Sequence, residues 1–167
     1  MAAAIGLYFS KMKENPEQRF LNDVKTKENV LKYYQYVLVF ARQNALTGKE
    51  SYILAMIAVE SAGNTKAVGS VGERGLMQVM KGALSDVNAL LGKDLKWDDL
   101  FNPPFGINAG VSYLAIQKKR LYGDLEKGIR AYNVGASRVI KNPDSGSDYL
   151  RKVLDWQKQF KDYDKGA

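Results

Sequence analysis

Residues 51 to 63 read Ser-Tyr-Ile-Leu-Ala-Met-Ile-Ala-Val-Glu-Ser-Ala-Gly. From Tyr52 to Val59 the run is apolar on nearly every side of a helix. A helix of that kind belongs in the middle of a domain. Glu60 is the first charge after it, and Gly63 can take the left-handed conformation that ends helices. A central buried helix needs others packed around it.

The flanking sequence supplies them. From Lys27 to Ala45, apolar residues fall at Val30, Leu31, Tyr34, Val37, Leu38 and Ala41, one face of a 3.6-period helix, with Thr26 placed to cap it. Between Asn64 and Gly75 the periodicity disappears, and Gly69, Ser70, Gly72 and Gly75 describe a tightly turning loop. A helix follows from about Gly82 to Leu91, ended by Gly92, and Leu100-Phe-Asn-Pro-Pro104 reads as a turn. Ile107, Val111, Leu114 and Leu121 mark a helix of about four turns. Asp124 can cap a short helix through Ala131. After a loop at Pro143 to Ser147, the stripe Tyr149, Val153, Trp156 and Phe160 marks a last helix. No strand-like alternation is present. The expected class is all-α: one compact domain of short, unequal helices rather than a simple bundle. Residues 1–46 are expected to form an N-terminal helical segment packed on that domain, 47–160 its core and 161–167 a polar tail.

The 167 residues suit one domain, and 46% hydrophobic with 26% charged residues is ordinary for a globular chain. No linker, repeat or apolar stretch of roughly 18 residues is present. The apolar start, Met1 to Phe9, lacks a basic lead and is short for a signal peptide. Export by another route, or prior removal of a leader, is therefore expected.

Two zeros narrow the chemistry. The chain has no Cys and no His. Thiol nucleophiles, zinc-thiolate sites, the Ser-His-Asp triad and two-His zinc helices are excluded. Carboxylates, Tyr, Lys and amides remain, which turns an enzyme reading toward carboxylate chemistry such as glycoside cleavage. The net charge of +7 suits a polyanion or simply keeps the protein soluble. Its basic residues are scattered, Lys118-Lys119-Arg120 included, and specify no nucleic-acid site.

Glu60 is the candidate acid. Loss of solvation and the negative end of its helix both disfavour the carboxylate, so both raise its pKa. A carboxyl still protonated near neutral pH is what a glycosidic leaving group needs. Residue type and position alone leave this reading level with a satisfied structural Glu.

Four segments carry a resemblance. Glu60-Ser61 with Asn64, Gly75-Leu76-Met77-Gln78, Ala131-Tyr132-Asn133-Val134-Gly135 and Tyr149-Leu-Arg-Lys-Val153 resemble, in order and spacing, the motifs of the Slt-type lytic transglycosylases. Leu100-Phe-Asn-Pro and Gly110-Val-Ser-Tyr-Leu resemble the helix between the second and third motifs. The resemblance covers about Ser51 to Gln157. It implies a fold like that of goose-type lysozyme, with a substrate groove. It also implies cleavage of peptidoglycan between N-acetylmuramic acid and N-acetylglucosamine, with 1,6-anhydro ends. On this basis Glu60 is the sole acid and base, and Ser61 beside it contacts substrate and helps hold the Glu. Met77 and Gln78 line the groove, Tyr132 and Asn133 form a wall, and Tyr149 lies near the Glu carboxyl. Leu76 and Met77 could instead be core, Gly75 and Gly135 are backbone requirements, and Asn64 could simply turn the loop.

The expected partner is the glycan strand of the bacterial wall, met by a monomer with no metal, cofactor, nucleic acid or membrane segment. A free-standing domain of this kind fits a phage lysis or tail protein, or a bacterial wall-remodelling or secretion enzyme; the absent leader favours phage or a trimmed chain. Goose-type lysozymes, which hydrolyse, resemble the chain in the same motifs but add acidic residues that activate water. One of these follows the second motif, where this chain has Val79-Met80. Glu73 is the remaining acidic residue within reach, and its plainer reading is a loop charge paired with Arg74. A non-catalytic wall-binding component would lack the acid, which is present here.

Overall fold

The computed structural model describes residues 15–164; the apolar start at Met1 to Phe9 and the last three positions of the expected tail lie outside it. The described chain is all-α. Its eight helices are α1 (Pro16–Leu31), α2 (Tyr34–Gln43), α3 (Glu50–Ser61), α4 (Lys81–Leu91), α5 (Pro103–Arg120), α6 (Leu125–Val134), α7 (Ala136–Lys141) and α8 (Ser147–Phe160), with 3₁₀ turns at Trp97–Phe101 and Lys161–Tyr163. No strand forms among the described residues; Arg74 makes isolated bridges to Val68 and Val79.

Helix α3 is the hub. Ile53 through Ile57 have no exposed surface. The helix packs most extensively on α8 and also meets α1 and α2, while α5 packs on α6 and α2. Residues Val30, Val37, Ala41, Leu76, Met77, Ile107, Leu114, Ile129, Val153 and Phe160 join the same core cluster. Burying each such side chain contributes roughly 1.5–3 kcal/mol before the entropy of ordering is set against it.

Several boundaries differ from expectation. The single helix from Lys27 to Ala45 is two, separated at Lys32 and Tyr33, where Tyr33 N–H bonds back to the Val30 carbonyl at 3.0 Å. The interruption brings Val30 from one segment and Val37 and Ala41 from the other into one core. Thr26 therefore caps nothing: α1 starts a full ten residues earlier, at Pro16, with Asn15 Oδ1 accepting from Gln18 N–H at 2.8 Å. Helix α3 ends on Ala62, itself left-handed at φ 51°, with Gly63 following at φ 79°. Gly63 is needed for closeness as well as conformation, since an added Cβ would stand 2.8 Å from Asn29 Cβ on α1.

The turn at residues 100–104 is the end of a 3₁₀ helix running straight into α5 through Pro103. Asp124 does cap α6, accepting from Lys127 N–H at 2.9 Å, but that helix continues past Ala131 to Val134. Helix α7 is too short for its period to show in sequence. The segment from 161 is docked over its described part. Asp164 accepts from Ser51 N–H at 2.7 Å and Ser51 Oγ at 2.8 Å, so it fastens the start of α3. No helix among the described residues is long and apolar enough to cross a membrane.

Candidate active site

Helix α3 delivers Glu60 at its last turn, partly open to solvent. Tyr149, from the first turn of α8, is buried and donates its hydroxyl to Glu60 Oε1 at 2.6 Å. Burial of the carboxyl dominates its electrostatics and raises its pKa to about 7; the Tyr149 hydrogen bond and Lys152 oppose the rise, and the charge of Glu73 adds to it. Tyr149 and Tyr132 are both raised well above 10, first by burial and then by the Glu60 charge, so both remain neutral phenols. The site thus holds a carboxyl able to give and take a proton near neutral pH, between two tyrosines.

The second bank is the loop between α3 and α4, folded back on itself. Ser61 is buried; its Oγ lies 2.9 Å from the Leu76 carbonyl and 3.2 Å from that of Ile57, and accepts from Gly63 N–H at 3.2 Å. It ties the helix end to the Gly75–Gln78 turn. Gln78, at φ 48°, donates its amide to the carbonyls of Ala67 at 3.1 Å and Gly75 at 2.9 Å. Its carboxamide braces the loop from inside. Gly75 has φ 75°, and an added Cβ would lie 2.0 Å from the Leu100 carbonyl oxygen. That oxygen also sits against Gly106 of α5, where an added Cβ would be 2.5 Å away. The Leu100 carbonyl is therefore held between two glycines, which locks the 3₁₀ turn to the loop.

Met77 has no exposed surface, and an added Cβ at Gly110 would meet its Sδ at 2.4 Å. Its side chain is core and offers no surface to a groove. Its carbonyl, however, accepts from Tyr132 Oη at 2.7 Å, which fixes the phenol beside Glu60. Asn64 turns the loop, its Oδ1 accepting from Lys66 N–H at 2.9 Å. Glu73 lays its carboxyl over Gly69, where an added Cβ would meet Oε2 at 2.1 Å, and Oε2 accepts from Val71 N–H at 3.1 Å. Arg74 forms its ion pair with Asp98 rather than with its neighbour, its guanidinium 5.0 Å from the Trp97 ring centroid and 5.1 Å from that of Phe101. Met80, which follows Val79 after the Gly75–Gln78 turn, is exposed.

The third side is the end of α6. Tyr132 meets the Tyr113 ring edge-on at 5.3 Å. Asn133 is half-buried, and its carboxamide makes no hydrogen bond within the described residues. Among the described residues no group of three or more acidic, His or Cys side chains is placed to hold a metal.

The family described as "Transglycosylase SLT domain" matches residues 38–154, some two thirds of the chain and all of the site.

The chain belongs to the SLT transglycosylase family.

Among curated relatives, the membrane-bound lytic murein transglycosylase C of Mannheimia succiniciproducens is 33% identical over 115 residues, which take in 63% of this chain and 32% of the relative. The protein of the same name from Pectobacterium atrosepticum is 37% identical over 106 residues, 56% of this chain and 29% of the relative. The match with these relatives spans about a third of their length. In structure, an inactive mutant of the lytic transglycosylase Slt from Pseudomonas aeruginosa superposes with a TM-score of 0.67 at 26% identity, covering 74% of this chain and 23% of that one. A 70-kDa soluble lytic transglycosylase in complex with bulgecin A gives 0.71 at 23% identity, covering 80% and 24%. The lysozyme-like, all-α fold of the SLT family is therefore the fold of this domain.

Sequence reasoning did not single out Tyr113, which backs Tyr132, or the Leu100 carbonyl. The only sequence sign of the latter is the pair Gly75 and Gly106, and its meaning depends on a contact across 25 or more residues. Arg74 with Trp97 was equally hidden, because a stacked cation leaves no periodic trace.

Proposed function

We propose that this domain cleaves the β-1,4 bond between N-acetylmuramic acid and N-acetylglucosamine in peptidoglycan, with Glu60 acting first as acid and then as base. The observation that carries the reading is the Glu60 carboxyl, raised to about 7 by burial while accepting the Tyr149 hydroxyl at 2.6 Å. A carboxyl balanced there supplies both forms needed at neutral pH. The names of the curated relatives support the substrate class.

Glu60 protonates the bridging oxygen, and the bond from C1 of the muramic acid to that oxygen breaks. The muramic acetamido group stabilises the cationic C1. Glu60, now ionised, takes the proton of the same sugar's 6-hydroxyl as its oxygen bonds to C1, closing the anhydro ring. The nucleophile is tethered, so its effective concentration far exceeds that of a free molecule. Tyr149 orients Glu60 and stabilises its ionised form. Asn133, whose amide makes no hydrogen bond among the described residues, binds an acetamido group beside the wall made by Tyr132. Ser61 and Gln78 serve by holding the helix end and the loop, and Met77 by presenting its carbonyl to Tyr132. The domain acts at the wall as a monomer on glycan strands, without metal or cofactor.

A second reading, hydrolysis, draws on Glu73, whose charge reaches Glu60. Mass spectrometry of muropeptides released from purified peptidoglycan separates the two. Anhydro-muramic ends, one water lighter, are expected. Ordinary reducing ends would replace the proposal with a lysozyme, and no release at all would leave a binding component.

A further inference from the structure

Glu73 and Arg74, adjacent in the α3–α4 loop, send their charges to different places. Arg74 is bridged to Val68 and Val79 as in a short antiparallel ribbon, where successive side chains point to opposite faces. It exchanges two backbone bonds with Val79 at 3.2 and 3.1 Å, and Gly69 N–H donates to the Glu73 carbonyl at 2.8 Å. The Glu73 side chain turns back over its own loop, where Oε2 accepts from Val71 N–H at 3.1 Å. The Arg74 side chain goes the other way, to the 3₁₀ turn at Trp97–Phe101.

That turn holds Arg74 through its rings. The guanidinium carbon is 5.0 Å from the Trp97 centroid and 5.1 Å from that of Phe101, and Lys66 and Lys81 stand 5.2 and 5.6 Å from Phe101 and Trp97 respectively. Asp98 also pairs with Arg74, but its side chain is 84% exposed, so the rings carry most of the hold. The stacked position persists although it leaves Arg74 Nε buried with no hydrogen-bond partner among the described residues, which is costly. The turn is itself fixed, because the Leu100 carbonyl lies between Gly75 and Gly106. Arg74 therefore ties the limb of the loop that carries Glu73 to an element that does not give.

From this geometry we infer that Arg74 is a positioning residue that decides the product: held on the Trp97 and Phe101 rings, it keeps Glu73 folded over Gly69 and away from water at the cleaved bond. The inference rests on the anhydro-forming reading above. Glu73 is the carboxylate whose charge reaches Glu60. Released, it would take one proton from a water as the water oxygen bonds to C1 of the sugar cation. The leaving oxygen has by then received its proton from Glu60, so the sum is addition of one water and a reducing end. Restrained, Glu73 leaves C1 to the tethered 6-hydroxyl.

The test measures the ratio of reducing to anhydro-muramic ends in peptidoglycan digests, by mass spectrometry, for wild type, Arg74→Gln and Arg74→Gln/Glu73→Gln. A positioned base contributes about 10²- to 10⁴-fold, and a carboxylate that is merely released falls short of that, so Arg74→Gln is expected to raise the ratio about tenfold. The double variant should return to the wild-type ratio, because the carboxylate is gone. Arg74→Lys keeps a cation for the rings and should stay within about twofold of wild type. A merely structural arginine would lower both products together and leave the ratio unchanged. That result, or reducing ends that persist in the double variant, would overturn the inference while the anhydro-forming reading stands. A wild type that yields chiefly reducing ends, or releases nothing, would remove that reading and the inference with it. Should Arg74→Gln melt early, Asp98→Asn, at an exposed side chain, loosens the same hold; it should raise the ratio about twofold, and an unchanged ratio there also overturns the inference.

Discussion

The two banks of the site use their polar groups in opposite ways. On the α3 side, the Ser61 hydroxyl, the Gln78 amide and the Leu100 carbonyl are all turned inward, to loop carbonyls or between glycines. On the α6 side, Asn133 and the oxygen of Gln117 have no hydrogen-bond partner among the described residues, and the exposed Arg138 and Lys141 border an open depression. The first bank fixes one carboxyl in place. The second leaves polar groups without such ties. Catalysis needs the first property, because a small displacement of the acid costs rate; recognition needs the second.

The sharpest test of this division removes the acid. Glu60→Gln should lower peptidoglycan cleavage by about 10³-fold or more, with helix content unchanged by circular dichroism. It also carries a stability signature. The folded pKa of about 7 lies above the ordinary 4.5, so the folded state holds the proton more tightly than the unfolded one. The stabilisation this gives is complete below about 4.5 and is lost as pH rises through about 7. Wild type should therefore lose on the order of 3 kcal/mol relative to Glu60→Gln between pH 4 and pH 8, read from urea midpoints. A flat difference across that range would mean that the carboxyl is not buried as described.

Gly75→Ala attacks the same bank through its backbone. The new Cβ would fall 2.0 Å from the Leu100 oxygen at a positive φ, so the loop or the 3₁₀ turn must move. A loss of roughly 3 kcal/mol is expected, and a melting temperature lower by about 10 °C. Activity should fall with it, because the turn that holds Ser61 and Tyr132 is displaced. An Ala variant with wild-type melting would show the bank to be pliable.

How far the sequence foreshadows this division follows from the range of the forces involved. Helix α3 is legible because one uninterrupted apolar run can be satisfied only by burial, and Glu60 is conspicuous for ending it. Asp124 and Gly92 announce their caps through local chemistry. Helix α1 is legible only at its end, through Val30 and Leu31: Pro16-Glu-Gln-Arg-Phe-Leu-Asn-Asp23 is mostly polar, and of the whole helix only Val30 is buried. The Glu60–Tyr149 pairing joins residues 89 apart and came from the motif resemblance, not from any pattern. Met77 shows the limit of such a transfer. Its place in the motif suggested a groove, but its side chain fills the space left by Gly110, and only its carbonyl faces the site. The depression bordered by Arg138 and Lys141 draws on two separate segments, α5 and the stretch from Val134 to Ser145, and has no sequence signature.

Two intermediate effects set the banks against each other. Tyr149→Phe removes the bond that stabilises ionised Glu60, so kcat should fall about tenfold to a hundredfold. The alkaline limb of the pH profile should move upward, because that bond lowers the Glu60 pKa. Asn133→Ala breaks no side-chain hydrogen bond among the described residues, so melting should be unchanged, while KM rises about threefold to tenfold. A stability loss at Asn133, or a pure KM effect at Tyr149, would reverse the assignment of roles.

The smallest expected effect concerns Glu73, which belongs to the fixed bank by its hydrogen bond to Val71 and yet acts on Glu60 only through space. Its negative charge makes ionisation of Glu60 harder. Glu73→Gln should therefore move the alkaline limb down by a few tenths of a pH unit, with less shift at high salt. Activity below the limb should be nearly unchanged if Glu73 is an electrostatic neighbour, because Glu60 is already protonated there and the tethered 6-hydroxyl needs no second base. If Glu73 instead activates water, the substitution would abolish reducing-end products at every pH and leave any anhydro product intact. Following both product classes across the pH range in this one variant therefore separates a carboxylate that tunes the acid from one that supplies a second chemistry.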